Sequence, residues 1–412
     1  MDTMDIIVMK GCGLDVHQAT VVACIQRQGF DKIIRTFGTT TEELLDLKQL
    51  LKEQQITHVA MESTGVYWKP VYNILEDGAW EIVLANARHM KNVPGRKTDV
   101  QDCEWICKLL RTGFLKASFI PQEDIRLMRS YTRCQKNFQY NIQNEKNRVH
   151  KLLQECNIKL TQVLSDIFGL AGTRILNDLA AGITEPVELA KHMEADKRLL
   201  PKKQQAIYCL NGRTTPHHQM MLRSMLGTIC YYQKQIDTMN AEVSKLLGPY
   251  KQEYELLQSI PGVKEKAAGH IIAELSANMY VFPDEQHLSS WAGLSPGSNE
   301  SAGKKRSSRM RNGNTHLRAI LTECAWAATK TKDTYLRAKF YKLASRMGKK
   351  KALAAIAHKI LISCYHILKY KIPFKELGGD YFTKGKEDTL LLHYQKKLQK
   401  LGYRVVLQPI EA

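Results

Sequence analysis

Long apolar segments are missing from this sequence of 412 residues. No uninterrupted run comes close to the ~18 apolar residues that a membrane-spanning helix requires, so no membrane partner is expected. The opening segment MDTMDIIVMK has no basic stretch followed by a long apolar core, which argues against a secretory signal. No pair among the ten cysteines has C-x-x-C spacing, so reduced thiols in a cytoplasmic protein are expected rather than a disulfide framework.

Acidic residues are scarce relative to basic ones. The chain has 60 Lys and Arg against 41 Asp and Glu, which gives a formal net charge of +19. An excess of this size favours a polyanionic partner, most often nucleic acid. The plainer alternative is a basic soluble protein without such a partner.

The first part of the chain, residues 1–125, has the pattern of an α/β domain. Short β-rich runs such as DIIVMKGCGLDVH and TVVACIQRQG come first, and helical segments such as TTEELLDLKQLLKEQQ then alternate with later strands. The predicted order is βββαβαβα. This order fits a mixed sheet with a leading hairpin meander and later crossovers, as in the ribonuclease H-like fold.

Residues 126–250 switch to helical periodicity. Apolar residues near the end of this region follow alternating steps of three and four, which is the spacing of a coiled-coil seam. They are Leu222, Met225, Ile229, Tyr232, Ile236, Met239, Val243 and Leu246. A helical coiled-coil domain is predicted, either as an antiparallel hairpin or between chains, and an ordinary buried helix face is the simpler alternative.

Residues 251–375 are predicted to form a mostly helical domain, and residues 376–412 a tail. The segment SIPGVKEKAAGHIIAEL is similar to a helix-hairpin-helix, whose turn offers backbone N–H groups to a phosphate. Gly262 in this turn is therefore a candidate nucleic-acid contact. Lys264 occupies the position where that pattern has a second glycine, so a purely structural helical hairpin is the alternative.

Four carboxylates in the first region are candidate metal ligands. Asp15 and Glu62 follow predicted strands, in GLDVH and AMEST. Asp99 and Asp102 have i,i+3 spacing at the start of a predicted helix. If the two strands are neighbours, all four acids can meet in one cleft, where Mg²⁺ ions ~3.5–4 Å apart would hold the attacking and leaving oxygens of a phosphodiester. Taken singly, an acid of this kind is more often a solvated or helix-capping residue than a metal ligand.

A basic segment, RHMKNVPGRK, precedes the second pair of acids. Its cations could hold backbone phosphates beside a metal site, or they could belong to a solvated loop. The candidate contacts are Arg88, Lys91, Arg96 and Lys97.

The segment NESAGKKRSSRMRNGN, residues 299–314, is interpreted as a loop that combines serines with a high density of positive charge. A serine hydroxyl is a weak nucleophile until a base, a positive field or a metal activates it, and serines in basic loops more often bond phosphates. The segment has no obvious base of its own. Its candidate nucleic-acid contacts are Lys304, Lys305, Arg306, Arg309 and Arg311.

Several short stretches carry a resemblance to a known family. They are GLDVH, AMESTGVYW, KTDVQD, the SIPGV hairpin, WAGLSPGSNESAGKKR and RNGNTHLR, in this order. Together they resemble the DEDD-type insertion-sequence transposases of the IS one-ten family, also called bridge-RNA-guided recombinases, over roughly residues 5–370. The resemblance implies a first domain with the RuvC resolvase fold, in which the family's four acids match Asp15, Glu62, Asp99 and Asp102.

The same resemblance implies the chemistry and the partners. Ser301, in SAG, matches the serine that becomes covalently linked to a 5′ phosphate of DNA, while Mg²⁺ held by the acids assists, as two ions or as one per active site. Ser298 is the reserve candidate, because Ala302 occupies a position where the family often has glycine. Donor and target DNA and a structured guide RNA are the implied partners, and a dimer or tetramer with composite active sites is the implied assembly.

Two other functions remain open at this level. One is a metal-dependent Holliday-junction resolvase or nuclease, in which the acids hydrolyse DNA and Ser301 only binds phosphate. The other is a non-enzymatic DNA-bridging protein in which the acids are structural.

Overall fold

The structure is a computed structural model that describes residues 6–63, 65–85, 102–295, 299–301, 304–307, 310–382, 384 and 387–403. The chain divides into two compact units, Met1–Ile120 and Pro121–Ala412. The first unit is a mixed α/β domain and the second is mostly helical. This succession confirms the predicted fold class at the level of an α/β domain followed by helical regions.

Five strands form one sheet in the first unit. They are β1 (Lys10–Val16), β2 (Thr20–Arg27), β3 (Ile33–Gly38), β4 (His58–Glu62) and β5 (Glu81–Ala85). The order across the sheet is β3-β2-β1-β4-β5. The first three strands pair antiparallel as a meander, whereas β4 pairs parallel with both β1 and β5. Parallel pairs need crossover connections, and these are where the helices lie.

Three helices are described in the first unit. They are α1 (Thr41–Glu53), α2 (Trp68–Leu75) and α3 (Asp102–Arg111). α1 begins where the Thr40 hydroxyl accepts a hydrogen bond from the Glu43 N–H, which satisfies a donor that the first turn leaves unpaired. α1 connects β3 to β4, and α2 connects β4 to β5. The order of the described elements is βββαβαβα, as predicted.

The two faces of the sheet pack against different helices because side chains alternate along each strand. Leu14 of β1 and Met61 of β4 are fully buried in the core that includes α1 and α2. Ala60, the neighbour of Met61, packs in a second core with Trp105 and Ile106 of α3. Alternate positions of β1 and β4 therefore face α3.

The described part of the second unit contains helices and a β-hairpin. The helices are α4 (Glu123–Glu155), α5 (Leu170–Ala181), α6 (Pro186–Ala190), α7 (Lys203–Leu210), α8 (Pro216–Leu246), α9 (Lys251–Leu257), α10 (Glu265–Leu275), α11 (Glu285–Ala292), α12 (Thr315–Ala328), α13 (Tyr335–Met347), α14 (Lys349–Tyr370) and α15 (Glu387–Lys400). The hairpin strands are β6 (Asn299–Ser301) and β7 (Lys304–Ser307). Part of the segment interpreted as a loop from its composition is thus β-structure.

The two long helices, α4 and α8, pack along one another in opposite directions. Gln135 Nε2 donates a hydrogen bond to Asn240 Oδ1 at 3.1 Å. Farther along α4, Leu153 shares an apolar core with Leu222, near the start of α8. An antiparallel helical hairpin within the chain is therefore observed, and a coiled coil between chains stays a prediction.

The segment between the two long helices has an apolar core of its own. Ile175 of α5, Leu189 of α6 and Ala206 of α7 are fully buried there. Val149 of α4 and Leu222 of α8 complete the same core. The three short helices therefore pack at one end of the antiparallel pair, where they share a core with both long helices.

Among the residues that the structure describes, one helix, α14, is long and apolar enough to cross a membrane by length and composition alone. Half of the most apolar 18-residue stretch of this helix is buried inside the protein, and Ile356 and Leu361 are fully buried there. The hydroxyl of Tyr365, also buried, donates to the Phe282 carbonyl oxygen at 3.3 Å. Such burial is typical of the central helix of a globular domain.

Candidate active site

Asp15 and Glu62 lie at the same end of two neighbouring strands. β1 and β4 are parallel, and their register pairs Leu14 with Met61. Continuing this register by one residue places Asp15 beside Glu62. The strands that carry Asp15 and Glu62 are therefore neighbours, which is the condition under which the acids were expected to meet in one cleft.

Both of these acids share the sheet face that α3 covers. Asp15 lies two positions after Gly13, and Glu62 two positions after Ala60, which packs against α3. Because side chains two positions apart on a strand point to the same face, both carboxylates project on the α3 side. Each is half-buried.

Gly13 allows α3 to lie unusually close to β1. A Cβ atom at Gly13 would be 2.3 Å from the Cys103 carbonyl oxygen, near the start of the helix. At the end of the helix, the Arg111 carbonyl oxygen accepts a hydrogen bond from the Val8 N–H at 3.1 Å. α3 therefore runs antiparallel to β1, and its first residue, Asp102, lies at the end of the sheet that carries the two strand acids.

Replacing Gly13 by alanine is expected to displace α3 and to reduce the free energy of unfolding by roughly 1–3 kcal/mol, the usual cost of overpacking. The new methyl group would meet backbone atoms, the Cys103 oxygen and the Cys107 nitrogen, which cannot rotate away. Urea unfolding followed by circular dichroism measures the loss. In the control, Gly11→Ala on the same strand, the methyl group would meet side-chain atoms of Val8, Leu110 and Arg111, at 3.2 Å or more. An equal loss in both variants would contradict the close approach at Gly13.

His17 approaches the Asp15 carboxylate, with its Nε2 atom 3.1 Å from Oδ2. The imidazole is 63% exposed and the carboxylate 24% exposed, so this pair contributes at most about 1 kcal/mol to stability. Sequence reasoning did not single out His17. The signal was available in GLDVH, because a residue two positions beyond Asp15 in an extended chain lies on the same side.

The thiols beside α3 are buried. Burial first, and then the neighbouring Cys24, raise the pKa of Cys103 to about 11. Cys24, Cys103 and Cys107 pack together as one buried cluster. Metals bind the thiolate and not the thiol, so the carboxylates are the better metal donors in this part of the chain.

Asp15, Glu62 and Asp102 fit magnesium in the type of donor that they offer. Mg²⁺ takes hard carboxylate oxygens, and the three acids lie at one end of one sheet face. Within the described ranges, no group of three or more His, Cys, Asp or Glu side chains is close enough to hold an ion by itself. The fourth predicted acid, Asp99, lies outside the described residues.

Several predicted nucleic-acid contacts also lie outside the described residues. They are Arg88, Lys91, Arg96, Lys97 and Arg309, and the reserve serine, Ser298, lies outside as well. Their roles stay predictions.

Ser301 is the last residue of strand β6 in the hairpin. It pairs with Lys304, the first residue of β7, in an antiparallel register. Lys305 and Arg306 follow in β7, and Arg311 is exposed after the hairpin. The predicted nucleophile and three of its predicted basic neighbours therefore share one small hairpin.

The two ends of the hairpin segment meet at a pair of glycines. Gly293, with a φ of +70°, follows α11, and a Cβ atom on Gly313 would be only 2.3 Å from the Gly293 nitrogen. Asn314 then begins α12, where its side chain accepts a hydrogen bond from the Leu317 N–H at 3.1 Å. The chain thus leaves α11 and returns to α12 at nearly the same point.

Gly262 packs against another helix of its own unit. Its φ is +90°, and a Cβ atom would be 2.4 Å from the Cys324 carbonyl oxygen of α12. This close packing by itself requires glycine in the SIPGV turn. A phosphate contact at Gly262 stays a prediction.

A buried polar cluster close to the end of the hairpin segment was not predicted from the sequence. Glu274 is 1% exposed, and its carboxylate accepts hydrogen bonds from Arg133 and Asn314. The sequence signal was a charged residue within the otherwise apolar run IIAEL. Its partners could not be read from the sequence, since Arg133 is 141 residues away.

Two family models match the chain. The model of the DEDD transposase domain of the IS110 family matches residues 12–158, which contain all four predicted acids. The model described as Transposase IS116/IS110/IS902 family matches residues 254–342, which contain the SIPGV turn and the serine hairpin. A comparison with curated proteins finds no match.

Proposed function

Because the chain belongs to the IS110 family of DEDD transposases, we propose that it moves an insertion element by cutting and rejoining DNA through a covalent bond to Ser301. A transposase acts on DNA, and the DEDD domain implies dependence on a divalent metal, typically Mg²⁺. The observation that supports the DNA-cutting part of the proposal is that Asp15, Glu62 and Asp102 lie at one end of one sheet face, within the part that matches the DEDD transposase. The role of Ser301 rests on the family resemblance.

The proposed chemistry is a pair of transesterifications. The Ser301 Oγ atom attacks the phosphorus of a DNA phosphodiester and gives up its proton, while the bond from phosphorus to the 3′ oxygen breaks. The 3′ oxygen leaves with the bonding electrons and takes up a proton. The 5′ phosphate stays on Ser301 until the 3′ hydroxyl of another strand attacks it and releases the serine. Each step exchanges one P–O bond for another, so strands can be rejoined without a high-energy co-substrate.

Positive charge beside Ser301 supports this chemistry. Lys304, Lys305 and Arg306 belong to the strand that pairs with the serine strand. A cationic setting stabilises the negative charge that develops on the phosphoryl oxygens during attack. The segment has one acid, Glu300, and no histidine, so help with proton transfer is assigned to another part of the protein.

The acids are the proposed source of that help. Asp15, Glu62 and Asp102, together with Asp99, would hold Mg²⁺ as two ions or as one per active site. When bound, the ion would polarise the scissile phosphate and stabilise charge on the leaving oxygen.

The family resemblance supports two further partners, a structured guide RNA and other copies of the chain. The net charge of +19 suits contact with two nucleic acids. In the proposed dimer or tetramer, the acids of one subunit serve the serine hairpin of another. Exposed aromatic side chains on α4 and α8, Tyr140 at 69% and Tyr231 at 57% exposure, offer apolar surface for contacts between copies.

Trapping on a nicked suicide DNA substrate tests the proposal. A protein–DNA adduct that survives denaturation, requires Mg²⁺ and maps by peptide mass to residues 299–307 would support it. Cleaved ends without an adduct would instead favour the resolvase-like hydrolytic reaction, which the same acids could perform without a serine. Absence of any strand breakage would leave a DNA-bridging role.

Removing one positive charge from a basic segment is expected to weaken nucleic-acid binding and flatten its salt dependence. Each lost phosphate contact reduces the slope of log K against log salt by about 0.9 on duplex DNA. Arg309→Gln and Arg96→Gln test the two segments by fluorescence anisotropy at several salt concentrations. Lys52→Gln, at the end of α1, is the control with the same loss of charge. An unchanged slope in the two arginine variants would contradict phosphate contact.

A further inference from the structure

The segment that follows the serine hairpin is hydrogen-bonded to a buried carboxylate. Asn314 Nδ2 donates a hydrogen bond to Glu274 Oε2 at 2.6 Å. The oxygen of the same amide accepts a hydrogen bond from the Leu317 N–H and so caps α12. One side chain therefore fixes both the start of α12 and its link to α10.

Two arginines of α4 also donate hydrogen bonds to Glu274. Arg133 donates from Nε to Oε1 and from Nη2 to Oε2, both at 2.8 Å. This bidentate contact fixes the relative orientation of the two side chains as well as the distance between them. Arg129 donates to the carbonyl oxygens of Ala273 at 3.0 Å and of Glu274 at 2.8 Å, at the end of α10. Three elements, α4, α10 and the start of α12, thus meet in one polar cluster.

The cluster is charged although it is buried. Burial by itself would raise the pKa of Glu274, but hydrogen bonds from Arg133 and Asn314 and the charges of both arginines hold that pKa below its usual value. Burial lowers the pKa of Arg129 to about 10, which leaves it protonated at neutral pH. A buried charge is tolerated only when its partners are in place, so the cluster has one well-defined arrangement.

The residue before Asn314 is held as well. Gly313 lies against the backbone of Ala292 and Gly293, where a Cβ atom would be 2.3 to 2.6 Å from three of their atoms. The chain is therefore fixed at two consecutive residues, by backbone packing and by the charged cluster. Both lie where the segment that carries the serine hairpin rejoins the helical body.

We propose that Glu274 and Asn314 are positioning residues that hold the serine hairpin in the orientation needed for attack on DNA, a role that rests on the proposed function of Ser301. Misplacing a reacting group by about 1 Å costs on the order of 100-fold in rate. Binding through several phosphate contacts is less sensitive to such a displacement. The cluster is thus expected to govern the rate of adduct formation and not the affinity for DNA.

Asn314→Asp separates the two roles of this side chain. The aspartate retains an oxygen that can cap α12 but sets a second carboxylate against Glu274 in place of a donor. We expect the single-turnover rate of adduct formation on suicide DNA to fall about 100-fold, with DNA affinity within about twofold of wild type.

A reciprocal exchange supplies the rescue. Glu274→Gln combined with Asn314→Asp again sets an amide donor opposite a carboxylate, beside the same two arginines. We expect the double variant to react about tenfold faster than Asn314→Asp alone, because interacting residues are strongly non-additive. Recovery of the rate would show that the contact between the amide and the carboxylate itself matters. Melting temperatures that are equal in the wild type, Asn314→Asp and the double variant would separate this positioning role from a general loss of stability.

Glu323→Gln is the matched control. Glu323 of α12 pairs with Lys136 of α4 at 2.9 Å, so it also joins these two helices, but it is exposed and Asn314 is not part of the pair. We expect its adduct rate and DNA affinity to equal those of the wild type. A 100-fold loss in this variant would show that any link between the helices matters, and would overturn a specific role for the cluster.

Hydrogen–deuterium exchange of the full-length protein without DNA gives a readout that does not depend on Ser301 chemistry. Amides of residues 299–307 are expected to exchange faster in Asn314→Asp than in wild type or Glu323→Gln. Wild-type exchange and a wild-type rate in Asn314→Asp would overturn the inference, as would a joint loss of rate, DNA affinity and melting temperature without rescue. If the wild-type protein forms no adduct, the proposed function fails, while exchange still decides whether the cluster positions the hairpin.

Discussion

Replacing Ser301 by alanine is expected to abolish the covalent protein–DNA adduct while DNA binding stays intact. The substitution removes the attacking oxygen and nothing else, and alanine is compatible with the strand that Ser301 ends. The rate of adduct formation should fall by roughly 10⁴-fold or more, because other groups cannot replace the nucleophile of a covalent enzyme. Single-turnover assays on suicide DNA, resolved under denaturing conditions, measure this rate.

The matched control for Ser301→Ala is Ser307→Ala. Ser307 is the last residue of β7 in the same hairpin, so the chemical change and the setting are the same. This control should form adduct at close to the wild-type rate. Wild-type reactivity of Ser301→Ala would contradict the assignment and direct attention to Ser298, whereas cleavage without any adduct would indicate hydrolysis.

Replacing Asp15 by asparagine is expected to stop strand cleavage with little effect on folding. Asp15 lies beside Glu62 at the end of β1, and loss of a direct metal ligand should cost more than the ~100-fold reported for groups that only orient ligands. Removing one carboxylate also relieves repulsion among the acids. The lost pairing with exposed His17 is worth at most about 1 kcal/mol.

Cleavage rates measured over a range of Mg²⁺ concentrations, together with thermal melting, test the role of Asp15. The control is Asp46→Asn, an exposed acid on α1 that undergoes the same chemical change. It should retain full activity and stability. Full activity of Asp15→Asn at limiting Mg²⁺ would show that the metal site lies elsewhere, and a large loss of melting temperature would show that its effect is structural.

Local sequence patterns determined the order of elements in the first unit. The alternation of β-rich runs and amphipathic helices predicted βββαβαβα, and the structure has this order in the described residues. The pattern also assigned Asp15 and Glu62 to strand ends, because GLDVH and AMEST each follow a β-rich run. Such features depend on residues a few positions apart, so a single sequence contains the information.

Which strands are neighbours was decided by the tertiary structure. β1 and β4 are separated in the chain by β2, β3 and α1, and only the crossover brings Asp15 next to Glu62. The close approach of α3 at Gly13, which carries Asp102 to the same end, also depends on packing between distant segments. Periodicity in the chain says nothing about which surfaces meet.

In the second unit, too, local sequence patterns determined some features and the tertiary structure decided others. The spacing along α8 predicted an apolar seam, and the structure decided that α4 of the same chain packs against it. The serine hairpin was not predicted because the composition of its segment, rich in Ser, Gly, Lys and Arg, is typical of a loop. The buried charge of Glu274 was not predicted because its partners are remote in sequence: Asn314 is 40 residues and Arg133 141 residues away. The sequence by itself predicted which groups are candidates for chemistry on DNA. The tertiary structure decided which of them are held together, because burial and hydrogen bonding select partners by distance in space.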